Sequence, residues 1–207
     1  MSVTLLIIIV TCIVSYLCFE NRALFDQLKH HPVSEANNKE WYRMVTSGFL
    51  HADYIHLGIN MYVLYGFGTF IEQVFLAHYG EVFGRTIYLL LYLVMIVLAD
   101  IPSFVKHKNN YGYSAIGASG AVSGILFIFI LLRPWAILEL YFFIPIPAII
   151  FGVLYLLYSS WASKNAKDNI GHDAHFFGAV AGMALSIFLI PEILTIFFGQ
   201  LVNNLPF

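Results

Sequence analysis

Apolar runs about twenty residues long recur along this chain, broken by short polar stretches, and no other feature limits its fold as strongly. A helix needs about 20 apolar residues to cross the ~30 Å hydrocarbon core of a bilayer. Only helices and closed barrels can cross it, because lipid offers no partner to a backbone donor or acceptor. Of the 207 residues, 60% are hydrophobic and 11% charged, where soluble domains carry about 25% charge. That balance excludes a water-soluble enzyme and a disordered chain. Ten Lys and Arg against twelve Asp and Glu give a formal charge of −2, so there is no basic surface for nucleic acid. The mean hydropathy of +0.80 agrees with an all-α polytopic membrane protein. The reading is one membrane domain over residues 1–207 with six spans.

Charges and prolines delimit those spans. The first is residues 3–19. No Lys or Arg precedes it and it lacks an A-x-A-like cleavage site, so it is read as a retained helix rather than a signal peptide. Cys12 and Cys18 lie six apart and do not share a helix face, so they imply neither a disulfide nor a metal site. Residues 20–53 form a long polar loop that still carries Trp41, Tyr42, Met44, Phe49 and Leu50. A loop of that length usually has structure of its own, and short interfacial helices are expected in it. The later spans are 54–76, 85–101 closed by Pro102, a short one at 118–132 ended by Arg133-Pro134, 147–161, and 170–190 closed by Pro191. Residues 135–144, with Glu139, are placed at the membrane surface, and Pro147 in the first turn of the fifth span. The tail, 192–207, is placed in the interface. The loops after spans one, three and five hold Arg22, Lys29, Lys39, Arg43, Lys106, Lys108, Lys164 and Lys167, against only Arg85 and Arg133 opposite. Charge alone therefore puts both termini outside.

Polar groups inside a membrane are costly and are functional candidates by default. Four sets stand out. His56 and Asn60 are four apart, on one helix face near the start of span two. Gly117-Ala118-Ser119-Gly120 opens span four, His175 lies near the start of span six, and Glu72 near the far end of span two. Gly120 and Gly124 in span four, and Ala174, Gly178, Gly182 and Ser186 in span six, recur every four residues. Such stripes let membrane helices pack backbone to backbone. Spans four and six run parallel, and Ser119 and His175 both stand just ahead of their stripes, so the two side chains are expected to meet. A serine hydroxyl attacks only when a base takes its proton, which His175 can do. The developing oxyanion needs donors, for which His56, Asn60 and the Ser119 backbone N–H at the helix start are candidates. Asp173 is two residues from His175 and faces another side, so a Ser–His dyad is favoured over a triad.

These residues, in this order, resemble the rhomboid family of intramembrane serine proteases, of the bacterial six-helix type. Arg43-x-x-Thr46 followed by Phe49 and His51 looks like its first-loop signature. His56-x-x-x-Asn60 is similar to its second-span motif, and Glu72 to the acidic residue closing that span. Gly117-x-Ser119-Gly120 resembles the nucleophile motif, and Ala174-His175-x-x-Gly178-x-x-x-Gly182 the motif of the base. The resemblance implies a six-helix bundle, with Ser119 as nucleophile on a short fourth helix in a cavity open to water. His175 would be the base, and His56, Asn60 and Ser119 the oxyanion hole. Arg43, Glu72, Gly117, Gly120, Gly178 and Gly182 would be structural. It implies a fifth helix acting as a lateral gate, and substrates that are transmembrane segments of other proteins. No cofactor or metal is implied, the lipid bilayer is the other partner, and the location is a bacterial inner (plasma) membrane. Family members place both termini in the cytoplasm, against the charge count. That orientation is adopted, because the charge rule weakens for loops as long as the first. One departure stands out. Bacterial members often carry an aromatic residue one turn after the serine, packed on the base, and here that position is Ser123. Phe176, Phe177 or Tyr113 would then orient His175.

Two other classes compete. A membrane zinc hydrolase could use His51, His56, His172 and His175, since catalytic zinc is often held by three histidines, but no H-E-x-x-H is present. A non-proteolytic rhomboid-like protein that binds transmembrane clients would typically have lost the serine or the histidine, and both remain. A transporter fits less well, because the polar groups gather near one face rather than at the midplane.

Overall fold

The computed structural model describes residues 2–140, 144–166 and 170–203. Lys167 of the charge count, Tyr141, Phe142 and Phe143 of the surface stretch, and the tail from Asn204 to Phe207 lie outside the described residues. The chain is helical almost throughout. Helix α1 is Val3–Glu20. The first loop forms α2 (Arg22–Leu28), α3 (Pro32–Asn38) and α4 (Arg43–Thr46), the last continued by a 3-10 turn at Ser47–Phe49. Next come α5 (Tyr54–Val63) and α6 (Thr69–Tyr79), joined without a break by a π turn at Leu64–Gly68. Helix α7 is Glu81–His107 and α8 is Ser119–Leu132. Strands β1 (Ile137–Leu140) and β2 (Ile144–Pro147) precede α9 (Ala148–Asn165), α10 (His172–Leu189) and α11 (Ile193–Asn203).

Among the described residues, α1, α7 and α10 are long and apolar enough to cross a membrane. Helix α8 is the centre of the bundle. It is apolar all round, and nearly every residue in it is buried, from Gly120 to Leu132, which is what a helix walled in by others must be. Around it stand the α5–α6 rod, α7, α9, α10 and α11. The outer helices turn large apolar side chains outward, such as Ile9 and Ile13 on α1, Ile55 and Ile59 on α5, and Leu154 and Leu157 on α9. Those faces suit lipid tails. Helix α8 has 14 residues and so rises only ~21 Å, short of the ~30 Å hydrocarbon core.

The third span continues past the sequence-based stop. Helix α7 runs through Pro102 to His107. A proline removes one N–H from the helical ladder, but the next turn is held by other means. The Ser103 hydroxyl donates to the Asp100 carbonyl at 2.8 Å and lies 2.9 Å from His30 Nε2. His30 is fully buried, and its Nδ1 meets Glu35 at 2.6 Å. The first loop is thus pinned to α7 by a buried polar cluster and carries the short helices expected of it. Arg43 fastens the rest, donating from Nε to Glu40 at 2.5 Å and from Nη1 to the Asp26 and Lys29 carbonyls.

The stretch after α8 is a hairpin, which the sequence did not signal. Ile137 pairs with Pro147 and Leu140 with Ile144, antiparallel. Prolines are tolerated in such a ribbon because each strand has an unpaired edge. The Ala148 and Ile149 N–H groups donate to the Ala136 and Pro134 carbonyls, so the hairpin base also closes the first turn of α9. The tail docks rather than merely lying in the interface. Gln200 of α11 donates to the Leu132 carbonyl at 2.8 Å, and the Trp135 indole donates back to the Gln200 carbonyl.

Candidate active site

Gly117 sets the geometry at the head of α8. Its φ of +125° lies in the region that favours glycine, and its N–H donates to the Ser47 carbonyl at 3.0 Å. A Cβ there would stand 3.2 Å from His56 Cε1, 3.4 Å from His56 Nε2 and 3.5 Å from Ser119 Oγ. The missing side chain is therefore the space that lets the His56 imidazole and the Ser119 hydroxyl share one pocket. Ser119 is the first residue of α8, where backbone N–H groups have no helical acceptor.

The glycine stripes meet as the sequence predicted. A Cβ on Gly178 would overlap the Gly120 carbonyl oxygen and lie 2.6 Å from its carbon. A Cβ on Gly182 would lie 2.5 Å from Gly124 Cα. Helices α8 and α10 therefore touch backbone to backbone, in parallel, with Gly120 also facing the Ala174 carbonyl. That register puts the heads of both helices, with Ser119 and His175, at the same end of the bundle. Both side chains are half-buried.

Asn60 is buried, and its Nδ2 donates to the His56 carbonyl at 3.0 Å. An amide carries two such protons, so this bond uses only one of them. Asp173 pairs with Lys106 at 3.4 Å. Glu72 sits at the opposite end of span two. It accepts from Ser2 Oγ at 2.5 Å, Val3 N at 2.7 Å, Thr4 N at 2.9 Å and Thr4 Oγ1 at 2.8 Å. The four histidines of the zinc alternative form two ring pairs, His51 with His56 at 4.9 Å and His172 with His175 at 6.0 Å. Among the described residues, no three His, Cys, Asp or Glu side chains are grouped to hold a metal ion.

His175 also has a ring beside it that the sequence did not point to. Tyr113 stacks on His107, with ring centroids 3.8 Å apart, and Phe176 and Phe177 pack on each other. The tyrosine over His175 is Tyr155 of α9, with centroids 6.2 Å apart and planes 27° apart. Helical periodicity cannot reveal such a contact, because the two residues sit on different helices joined by a loop.

His51 supports His56 from behind. It is fully buried. Ser15 Oγ donates to the Phe49 carbonyl at 2.8 Å, so His51 Nδ1, 3.0 Å away, is the donor to Ser15. Burial, helped by the charge of His56, pushes the His51 imidazole down to about 3. The unfolded chain, with a value of about 6.5, takes up that proton first. This contribution to stability is therefore whole above pH ~6.5 and is lost as pH falls toward the folded value, by at most ~1.4 kcal/mol per pH unit. Melting temperatures in detergent from about pH 7.5, one unit above the unfolded value, down to about pH 4.5, still above the folded value, should fall less steeply for His51→Asn than for the parent protein. Equal slopes would remove His51 as the source.

Comparison with known proteins bears on the family of the chain. A family model described as the Rhomboid domain matches residues 38–192. The mitochondrial RHOMBOID-like protein 12 of Arabidopsis thaliana is 33% identical over 151 residues, 68% of this chain and 44% of that protein. YdcA of Bacillus subtilis is 28% identical over 158 residues, 75% of this chain and 70% of that one. The rhomboid protease GluP of the same bacterium is 38% identical over 87 residues, 42% of this chain and 15% of that protein. The chain thus spans less than half the length of the Arabidopsis protein and of GluP. The fold and the apolar faces define a helical integral membrane protein. Within that class, the chain belongs to the rhomboid family.

Proposed function

We propose that this chain is an intramembrane serine endopeptidase that cuts transmembrane segments of other membrane proteins through a Ser119–His175 dyad. The observation that carries this reading is the glycine-on-glycine contact of α8 and α10, which sets the heads of both helices side by side. His175 takes the Ser119 proton as Oγ attacks the scissile carbonyl. The negative charge that forms on the carbonyl oxygen is met by the Ser119 N–H, His56 and the second Asn60 amide proton. His175 then protonates the leaving amine, and water, activated by the same histidine, releases the acyl group. Because α8 is short, this chemistry lies below the membrane surface, where a water-filled approach is needed. The whole chain acts as one six-span unit in a bacterial plasma membrane, with its termini in the cytoplasm, as in the family.

A fluorophosphonate separates this reading from its rivals. It should modify Ser119, found by peptide mass analysis, and stop cleavage of a model transmembrane substrate, whereas a chelator should not. Cleavage that resists the fluorophosphonate and is lost to the chelator would overturn the serine mechanism. A protein that binds the substrate and never cuts it would point to the client-binding alternative.

The oxyanion donors should behave as partial contributors. Removing one typically costs about 10²–10³ in turnover. His56→Ala and Asn60→Ala are each expected to show that loss at saturating substrate while keeping the fold. Unchanged turnover in both would remove span two from the site.

A further inference from the structure

We infer that Tyr155, on α9, is the positioning residue for His175, and that Ser123 anchors it. The inference rests on the dyad reading above. Three contacts form one chain. The Tyr155 ring lies over the His175 imidazole at 6.2 Å and 27°, within the usual range for stacked rings. The Ser123 hydroxyl donates to the Ser119 carbonyl at 2.7 Å. Its single proton is then used, so the Tyr155 hydroxyl, 2.5 Å away, is the donor to Ser123. One side chain thus lies against His175 through its ring and is linked by its hydroxyl, through Ser123, to the carbonyl of Ser119.

The surroundings fix that ring. Phe127 of α8 and Phe151 of α9 lie 5.6 Å and 5.8 Å from it. Helix α9 also docks through the small buried Ala148, Gly152, Ser159 and Ala162 and the partly buried Ile149 and Leu156. Ser123 fits the arrangement because a larger side chain there would occupy the space that the Tyr155 hydroxyl takes. The alignment of His175 is therefore tied to the docking of α9. When α9 moves away, the stacked ring and the hydroxyl leave together.

The test uses the purified full chain in detergent, with a fluorophosphonate as probe of Ser119 and a model transmembrane substrate for kcat and KM. Tyr155→Leu removes ring and hydroxyl. It should slow both labelling and kcat by about tenfold or more with KM little changed, the mark of an interaction that matters in the reaction rather than in binding. Tyr155→Phe keeps the ring and should retain most of the rate. Tyr155→Phe and Ser123→Ala each break the same hydrogen bond, so the double variant should be no slower than the slower single. Three results would each overturn the proposal. They are labelling of Tyr155→Leu at the parent rate, a raised KM with kcat unchanged, and losses that multiply in the double variant. If Tyr155→Leu melts early, the Ser123→Ala and Tyr155→Phe pair decides. Should the parent protein take no label at Ser119, the dyad itself fails and this inference falls with it. Parent labelling with an unaffected Tyr155→Leu sinks the inference alone.

Discussion

Ser119→Ala should lose cleavage by at least about 10³-fold while inserting and folding as before, because no other group stands at the head of α8 to replace the hydroxyl. His175→Ala should be as damaging. Groups that act as one unit are not additive, so the double variant should resemble either single. His172→Ala should be milder. That ring packs edge-on against Tyr158 and His175, at 5.5 Å and 6.0 Å, and so serves as a wall beside His175. The measurement is turnover of a transmembrane substrate in detergent, with melting temperature as the check on fold. Activity in His175→Ala together with a dead His172→Ala would move the base one turn back.

The second large effect lies at Gly178, where even one methyl group is too much. A Cβ at that position would run into the carbonyl group of Gly120 and stand 2.8 Å from its Cα. Backbone cannot swing aside as a side chain can, so the helices must part. Overpacking costs up to about 3 kcal/mol even where neighbours adjust, which for a chain of this size lowers the melting temperature by roughly 6–12 °C. Gly178→Ala should show at least that loss, and Gly178→Leu should not fold. Lipid gives no compensation, since leucine gains nothing by facing protein rather than tails. Gly199→Ala on α11 is the control, because nothing lies within 4 Å of its Cβ position. Activity should fall with stability at Gly178, since parting α8 from α10 carries Ser119 away from His175. If Gly178→Ala melts and cleaves like the parent, the two backbones are not in contact there.

Much of this was legible in the chain itself. Hydropathy marked out the apolar helices because lipid leaves a buried helix no other composition. The four-residue stripes at Gly120–Gly124 and Gly178–Gly182 gave the pairing of two distant helices, because close backbone approach admits no substitute for a small residue. What they did not give was how close. From sequence alone alanine passes as small, and only the backbone contact excludes it. Other features were hidden for physical reasons. Pro102 reads as a stop, yet the Ser103 and His30 contacts carry α7 past it. Pro145 and Pro147 argue against a strand, yet a two-stranded ribbon has edges that need no donor. Tyr155 gave no local signal, since its partners Ser123 and His175 lie on other helices.

The acceptor role of Glu72 bears on the order in which the molecule assembles. Helix α1 begins with donors at Ser2, Val3 and Thr4 that meet one carboxylate some 70 residues further along the chain. During synthesis those residues are made before Glu72, so the Ser2, Val3 and Thr4 donors lack this carboxylate until α6 has been made. The first turn of α1 then takes its final place against a helix made after it. Ribosome-bound chains that stop short of Glu72 should leave the start of α1 loosely held, and chains long enough for Glu72 to have left the ribosome should lock it in place.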